Sequence, residues 1–419
     1  MLNRKAAPPF VSSSSFNLIR PEENALPNGV RVFFVSGGSQ DVLKIELIFD
    51  AGKWFERTPG AAYFTSHLLS KGTRGKNSFD IAQLFDRYGA HLEVHAGVDF
   101  VSIALYSLTR NLAPVLELLM EILSEPTFPE KEFQQARSVF IQNLRVNNEK
   151  TSYVASKVFR KSLFGEHHPY GSDLEEPEAN ALEISHLQSH FSQYINSATL
   201  FVSGKIEADN KALILKTFAK AAAGTKRQRV DHAIAPGEKR QRVKKKDSVQ
   251  SSLRMGGRSL MRSHSDYVPL LFVSHILGGY FGSRLMKNIR EEKGLTYGIG
   301  ASLHALRHNS YLLIGADVNK ENVDLTFEEI RKELKRLRTT KVPDAELTTT
   351  RNHFIGSLQS EITTPFAHAE KIKTIHLFNL GPDHYQQMIE RIENITPSEI
   401  VEISEKYLDE NSFHETAVG

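Results

Sequence analysis

Short apolar runs and amphipathic stretches follow one another along the chain in an order that recurs. Val30 to Val35 and Leu43 to Phe49 read as strands, followed by helical segments from Ala61 to Ser70 and from Phe79 to Tyr88. Strands are expected again at His91 to His95 and Phe100 to Tyr106, then a long amphipathic helix from Leu112 to Leu123. Further on, Tyr267 to Leu277 and Gly282 to Glu292 read as helices, Leu295 to Ser302 and Tyr311 to Ala316 as strands, and Val323 to Leu337 as a long helix. The order helix, helix, strand, strand, helix therefore occurs twice. The offset is 203 residues from Phe79 to Gly282 and 211 from Leu112 to Val323. One α+β unit used twice is the expectation.

A length of 419 residues allows two to three domains, and 24% charged with 40% hydrophobic residues is the balance of an ordinary globular chain. There is no cysteine, which excludes disulfides, thiolate catalysis, iron–sulfur clusters and Cys-ligated zinc. Any metal would have to sit on His, Asp or Glu.

The net charge of +3 is unevenly spread. Residues 226–246 hold nine basic residues against Asp231 and Glu238, a local excess of seven that leaves the rest of the chain at −4. Gly224, Pro236 and Gly237 lie in or beside this stretch, and Lys-Arg-Gln-Arg-Val occurs in it twice, from Lys226 and from Lys239. It reads as a basic linker between a first domain over 1–225 and a second over 247–419. A polyanion-docking patch is the other reading of the same charges, but a globally basic nucleic-acid coat is not what the chain describes, so no nucleic-acid partner is expected.

The longest apolar stretch, Val268 to Phe281, is broken by Ser274, His275 and two glycines, so no membrane span is expected. The N-terminus carries Arg4, Lys5, Pro8, Pro9 and the serines from Ser12 to Ser15, without a continuous apolar run. A flexible or surface-lying arm is expected there, and the cytoplasm is the expected compartment, with the periplasm or an organelle left open.

His91, Glu93 and His95 alternate along one strand and share a face, which raises a metal hypothesis. Same-face neighbours on a strand stand roughly 6.5–7 Å apart, wide for a tetrahedral ion, so a polar sheet surface is the better reading. His167-His168, beside a proline, suits a turn.

Three segments carry a family resemblance. They are Gly60-Ala-Ala-Tyr-Phe-Thr-Ser-His-Leu-Leu-Ser-Lys-Gly-Thr73, Gly89-Ala-His-Leu-Glu-Val-His-Ala-Gly97 and Leu277-Gly-Gly-Tyr-Phe-Gly-Ser-Arg-Leu-Met-Lys-Asn-Ile-Arg-Glu-Glu-Lys-Gly-Leu-Thr-Tyr297. In order and spacing the chain resembles the insulinase/pitrilysin family of zinc peptidases, which includes the mitochondrial processing peptidases and their bacterial two-domain relatives. The resemblance runs from about Leu26 to Leu408. It implies two homologous α+β roll domains and, usually, two such chains closed face to face around a peptide-holding chamber.

Active members carry H-x-x-E-H on their first helix, where i and i+4 imidazoles converge on zinc and the glutamate at i+3 activates its water. The matching positions here are Tyr63, Ser66 and His67. The distal glutamate ligand aligns with Asn143, 76 residues after His67. A phenol, a hydroxyl and an amide cannot replace the second histidine, the base and the carboxylate. No metal or other cofactor is therefore expected in this chain, zinc being expected in a partner subunit.

The resemblance also implies roles that survive. Arg290 and Tyr297, from the second domain, match the pair that reaches the substrate near the zinc. Leu92, Glu93 and Val94 match an edge strand that binds extended peptide by backbone hydrogen bonds. Expected partners are an H-x-x-E-H-bearing subunit of the same family, or a second copy of this chain, and a peptide substrate. A zinc-lacking subunit of a heterodimeric metallopeptidase is the leading expectation. A catalytically inert structural or peptide-binding homologue is the alternative.

Overall fold

A computed structural model of the chain describes residues 16–220 and 230–419. The first half runs β1 Glu22–Ala25, β2 Arg31–Ser36, β3 Val42–Phe49, α1 Ala61–Leu68, α2 Ser78–Arg87, β4 His91–Ala96 and β5 Val101–Leu108. It continues through α3 Leu112–Ser124, α4 Glu130–Asn148, α5 Thr151–Phe164, α6 Glu176–Ala181, α7 Ile184–Tyr194, β6 Ala198–Gly204 and α8 Ala208–Phe218. The second half runs β7 Arg240–Val243, β8 Gln250–Arg258, α9 Tyr267–Gly278, a π-helix Met286–Glu292, β9 Thr296–Ala305 and β10 Ser310–Asn319. It closes with α10 Val323–Thr339, α11 Asp344–Ser360, α12 Pro365–Leu377, α13 His384–Glu393, α14 Pro397–Tyr407 and β11 His414–Val418.

The strands form two sheets, in the orders β1-β2-β6-β3-β5-β4 and β7-β11-β8-β10-β9. With β1 set aside, the two orders match strand for strand, including one parallel pair in each, β2 with β6 and β7 with β11. The α+β class and the internal duplication read from the chain are thus both present.

Each sheet buries one face under helices of its own half. Leu43, Ile45 and Leu47 of β3 join Val115, Leu116 and Leu119 of α3 in one apolar cluster. The other face of each sheet is covered from the opposite half. α5 lies across β8 and β11, and α12 lies across β2 and β6. Under α12 the apolar contacts are Phe33, Ile48, Phe201, Ala369 and Ile372. Beside them the same face of β3 carries Lys44 and Glu46, 8% and 5% exposed, which pair with each other and with Glu370 and Lys373 of α12 at 2.7–2.9 Å. A second junction holds the β9–β10 turn to the first half. Arg307 pairs with Asp50, the Arg307 and His308 amides donate to Asp99 and to the Tyr170 hydroxyl, each at 3.1 Å, and Trp54 stacks on His308 at 4.0 Å.

Two sequence expectations are corrected. Residues 226–246 are not all connector: Arg240–Val243 is an edge strand of the second sheet, paired with Thr416–Val418 and Glu415 of β11. Its charges are met within the chain, Arg240 by Glu415 and Arg242 by Asp324, while Lys245 pairs with Glu149. The sequence pattern was too polar to suggest a strand, but a sheet edge leaves one side of β7 in water. The first copy of the repeat, through residue 229, lies outside the described residues, as does the expected N-terminal arm over 1–15. The second correction concerns Gly282 to Glu292, read as one helix. Phe281 and Gly282 instead lie in a turn, and a π-helix follows over Met286–Glu292. Its wider register is tied down by Asn288, whose side chain is drawn under α10 to donate to Glu329 and Glu333 at 3.2 and 2.6 Å.

Candidate functional site

α1 starts from Gly60, which has φ of +86°, and the Glu56 carboxylate accepts the Gly60 and Ala62 amides at 3.1 and 3.2 Å. Glu56 therefore does the work of an N-terminal cap from outside the helix. Burial pushes its pKa up from 4.5 to about 7, against the opposing pull of those two amides and Lys53. A raised folded-state value means the carboxylate costs stability once the pH exceeds about 4.5, with the full cost reached above about 7. Glu56→Gln, which keeps an acceptor oxygen, should gain about 3 kcal/mol at pH 8 and almost nothing at pH 4.5. Urea unfolding at the two pH values checks this.

The inner face of α1 is Ala61, Ala62, Phe64, Thr65, Ser66 and Leu68, all buried. Phe64 packs edge-on against Phe133 and Phe140 of α4. Tyr63 and His67 lie one turn apart on the outer side, their rings parallel within 8° and 6.0 Å apart. Phe140 flanks Tyr63 at 5.2 Å, a neighbour the sequence reading missed. Ser66 is 3% exposed, and its buried hydroxyl has no hydrogen-bond partner among the described residues. His67 has its pKa lowered by burial first and by the Lys71 ammonium second, which keeps the ring neutral at pH 7. Asn143 sits on α4, which packs against α1, but it is exposed on the outer surface of that helix with Val139 and Val146.

The other candidate donors do not converge. His91, Glu93 and His95 occupy the exposed face of β4, while Leu92 and Val94 turn inward. His91 Nε2 lies 3.3 Å from Glu93, and Glu93 accepts from the Tyr106 hydroxyl at 3.5 Å on the neighbouring strand. β4 is the last strand of its sheet, so one side of its backbone is unpaired by any strand. His168 is buried and accepts the Tyr170 amide at 3.1 Å. Burial, with His232 next, depresses its pKa to about 4, as suits a neutral core ring. Among the described residues no group of three or more His, Asp or Glu side chains stands where it could hold a metal ion.

Arg290 and Tyr297 lie at the far end of the second sheet. Arg290 is in the last turn of the π-helix, Gly294 with φ of +62° ends it, and Tyr297 is the second residue of β9. The close meeting of α9 with β9 depends on Gly278, where a Cβ would stand 2.4 Å from the Ala301 amide nitrogen. Tyr297 is 91% exposed. The Arg290 guanidinium lies 5.2 Å from the centre of its ring and 4.5 Å from that of Phe281, itself 62% exposed. The sequence reading brought Arg290 and Tyr297 together but gave Phe281 no role. An apolar residue in the turn after α9 was its only signal.

The insulinase (peptidase family M16) model matches residues 31–178, and the model described as the peptidase M16 inactive domain matches residues 185–354. The chain belongs to the insulinase (M16 peptidase) family. Relatives include an uncharacterized zinc protease of Bacillus subtilis, 23% identical over 338 residues that cover 79% of this chain and 82% of that protein. Another, from Rickettsia felis, is 23% identical over 77% of this chain and 79% of its own. Among solved structures, a peptidase M16 inactive domain from Pseudomonas fluorescens superposes with a TM-score of 0.87 at 21% identity, covering 95% of this chain and 98% of that one. A protease from Helicobacter pylori does so at 0.86 and 19%, over 96% and 100%. These likenesses establish the shared fold, the two helix-covered sheets of M16-like proteins.

This M16 chain contains no H-x-x-E-H anywhere in its sequence. The zinc that its family implies does not fit the residues at the matching helix. A phenol stacked between His67 and Phe140 replaces one ligand, and a buried hydroxyl with no charge replaces the base. One neutral histidine remains, too few donors to hold the ion. No helix among the described residues is long and apolar enough to cross a membrane.

Proposed function

We propose that this chain is the zinc-lacking subunit of a two-chain M16 peptidase, supplying Arg290 and Tyr297 in trans to peptide-bond hydrolysis. Its first domain, over 1–225, carries the emptied helix, and its second, over 247–419, carries the donor pair. Tyr297 stands 91% exposed with the half-buried Arg290 guanidinium 5.2 Å from its ring centre, and that observation carries the reading. A tyrosine so exposed gains nothing from burial, and a guanidinium lying against it is placed to meet something outside the chain. The Tyr297 hydroxyl would donate to the scissile carbonyl as negative charge develops on its oxygen, and Arg290 would bind the neighbouring peptide carbonyls. An H-x-x-E-H-bearing subunit of the same family would bring the ion and the base, so this chain needs no cofactor of its own. Leu92, Glu93 and Val94, on the unpaired edge of β4, would hold extended peptide through the backbone.

Affinity capture of the tagged chain from its native cells tests the pairing. The reading expects a stoichiometric M16 chain with an intact H-x-x-E-H and peptidase activity in the eluate. Capture of the chain alone, or only as an inactive homodimer that binds peptide, would favour the inert peptide-binding homologue instead.

A further inference from the structure

Phe281 is an exposed apolar ring in a turn, 62% open to water and outside the apolar core of the second half. Its backbone is nonetheless closely held. Gly278 abuts β9, a Cβ at Gly279 would stand 2.3 Å from His275 Nδ1, and Gly282 lies against Tyr280. Arg290 is mounted on a π-helix anchored by the Asn288 bonds to Glu329 and Glu333. Tyr297 lies in the first pair of β9 residues, just beyond the Gly294 stop. Three separately fixed elements thus bring two aromatic rings to within 4.5 and 5.2 Å of one guanidinium.

We propose that Phe281 is a positioning residue that clamps the Arg290 guanidinium together with the ring of Tyr297. A cation over an aromatic face is attracted by the ring quadrupole, and two rings restrict the guanidinium more than one. Arginine loses substantial rotamer freedom when it binds, and a guanidinium already held in place has less left to lose. Stacking engages the guanidinium through its plane, whereas its N–H donors lie in that plane, so a clamped arginine can still bind acceptors. Tyr297 then has two separable contributions, a ring that holds Arg290 and a hydroxyl that donates. The clamp follows from the geometry alone; its effect on hydrolysis rests on the function proposed above.

The experiment has a structural arm and a kinetic arm. In the isolated chain, the side-chain Nε–Hε resonance of Arg290 is read by NMR after ¹⁵N-arginine labelling and assigned with Arg290→Lys. Tyr297→Phe should leave it in place, Phe281→Ala should move it toward the free-arginine position, and Phe281→Tyr should restore it. In the peptidase-active complex, Phe281→Ala should lower kcat/KM roughly 2–5-fold, with rescue by Phe281→Tyr and no further loss on an Arg290→Ala background. An Arg290 signal unmoved by Phe281→Ala overturns the clamp. So does an equal Phe281→Ala loss with and without Arg290. A signal that responds as expected, in a complex whose activity ignores Arg290→Ala, upholds the clamp and overturns the proposed function.

Discussion

Tyr297→Phe is expected to lower kcat of the proposed two-subunit peptidase by roughly 10²–10³-fold, the cost of losing one donor aimed at a developing oxyanion. The substitution removes one hydroxyl from a residue 91% exposed and keeps the ring beside Arg290, so folding should be untouched. Because the hydroxyl would act on charge that grows during reaction, kcat should fall and KM should change little. Arg290→Ala should act differently. In the proposed function it would remove a group that binds carbonyls in the ground state as well, so KM should rise along with the fall in kcat. The measurement is steady-state hydrolysis of a fluorogenic peptide at saturating partner, with complex formation checked by size-exclusion chromatography. If both variants kept full activity within an intact complex, neither residue would have a catalytic role.

The second large effect is on stability. Lys44→Ala should destabilise the chain by about 3–5 kcal/mol, because it strands charge inside the junction between α12 and the first sheet. Glu46 there has a side chain 7% exposed and would be left to share Lys373 with Glu370. Replacing both partners, as Lys44→Met with Glu46→Leu, should recover most of the loss, since Glu370 and Lys373 still pair with each other at 2.6 Å.

The pH dependence has a definite sign. Burial alone would raise the Glu370 pKa, but the ammoniums of Lys373 and Lys44 outweigh it and hold the carboxyl below its ordinary 4.5. Its contribution is therefore present above about pH 4.5 and is lost as the pH falls through the lower folded value. Burial pulls Lys44 down, but Glu46 and Glu370 raise it above its ordinary 10.5, so its contribution is complete below that pH and lost only in strong alkali. Urea unfolding at a series of pH values downward from 7 should show the advantage of the wild-type network over the Lys44→Met/Glu46→Leu pair at neutral pH and its decline as the medium is acidified below about 4.5.

The architecture was legible because apolar periodicity is local. The run from Leu43 to Phe49 and the amphipathic segment from Leu112 lie within a residue or two of β3 and α3. The exchange of α5 and α12 between halves was not legible, since it depends on contacts between residues far apart in the chain, such as Thr151 with Ser252, 101 positions apart, and Lys44 with Glu370, 326 apart. Arg240–Val243 was missed for a different reason, as an edge strand with charged side chains has no apolar alternation to betray it. At the candidate site, the departure of Tyr63 and Ser66 from the H-x-x-E-H pattern was readable directly from the sequence. The aromatic neighbours Phe140 and Phe281 were not, because a lone phenylalanine carries no spacing signal.

The division of labour between two chains is tested most directly by a peptide-cleavage assay of three preparations: this chain alone, an H-x-x-E-H M16 partner alone, and their mixture, each with and without chelator. The account predicts no cleavage by this chain, little by the partner, and strong chelator-sensitive cleavage by the mixture. Chelator-sensitive cleavage by this chain alone would contradict it.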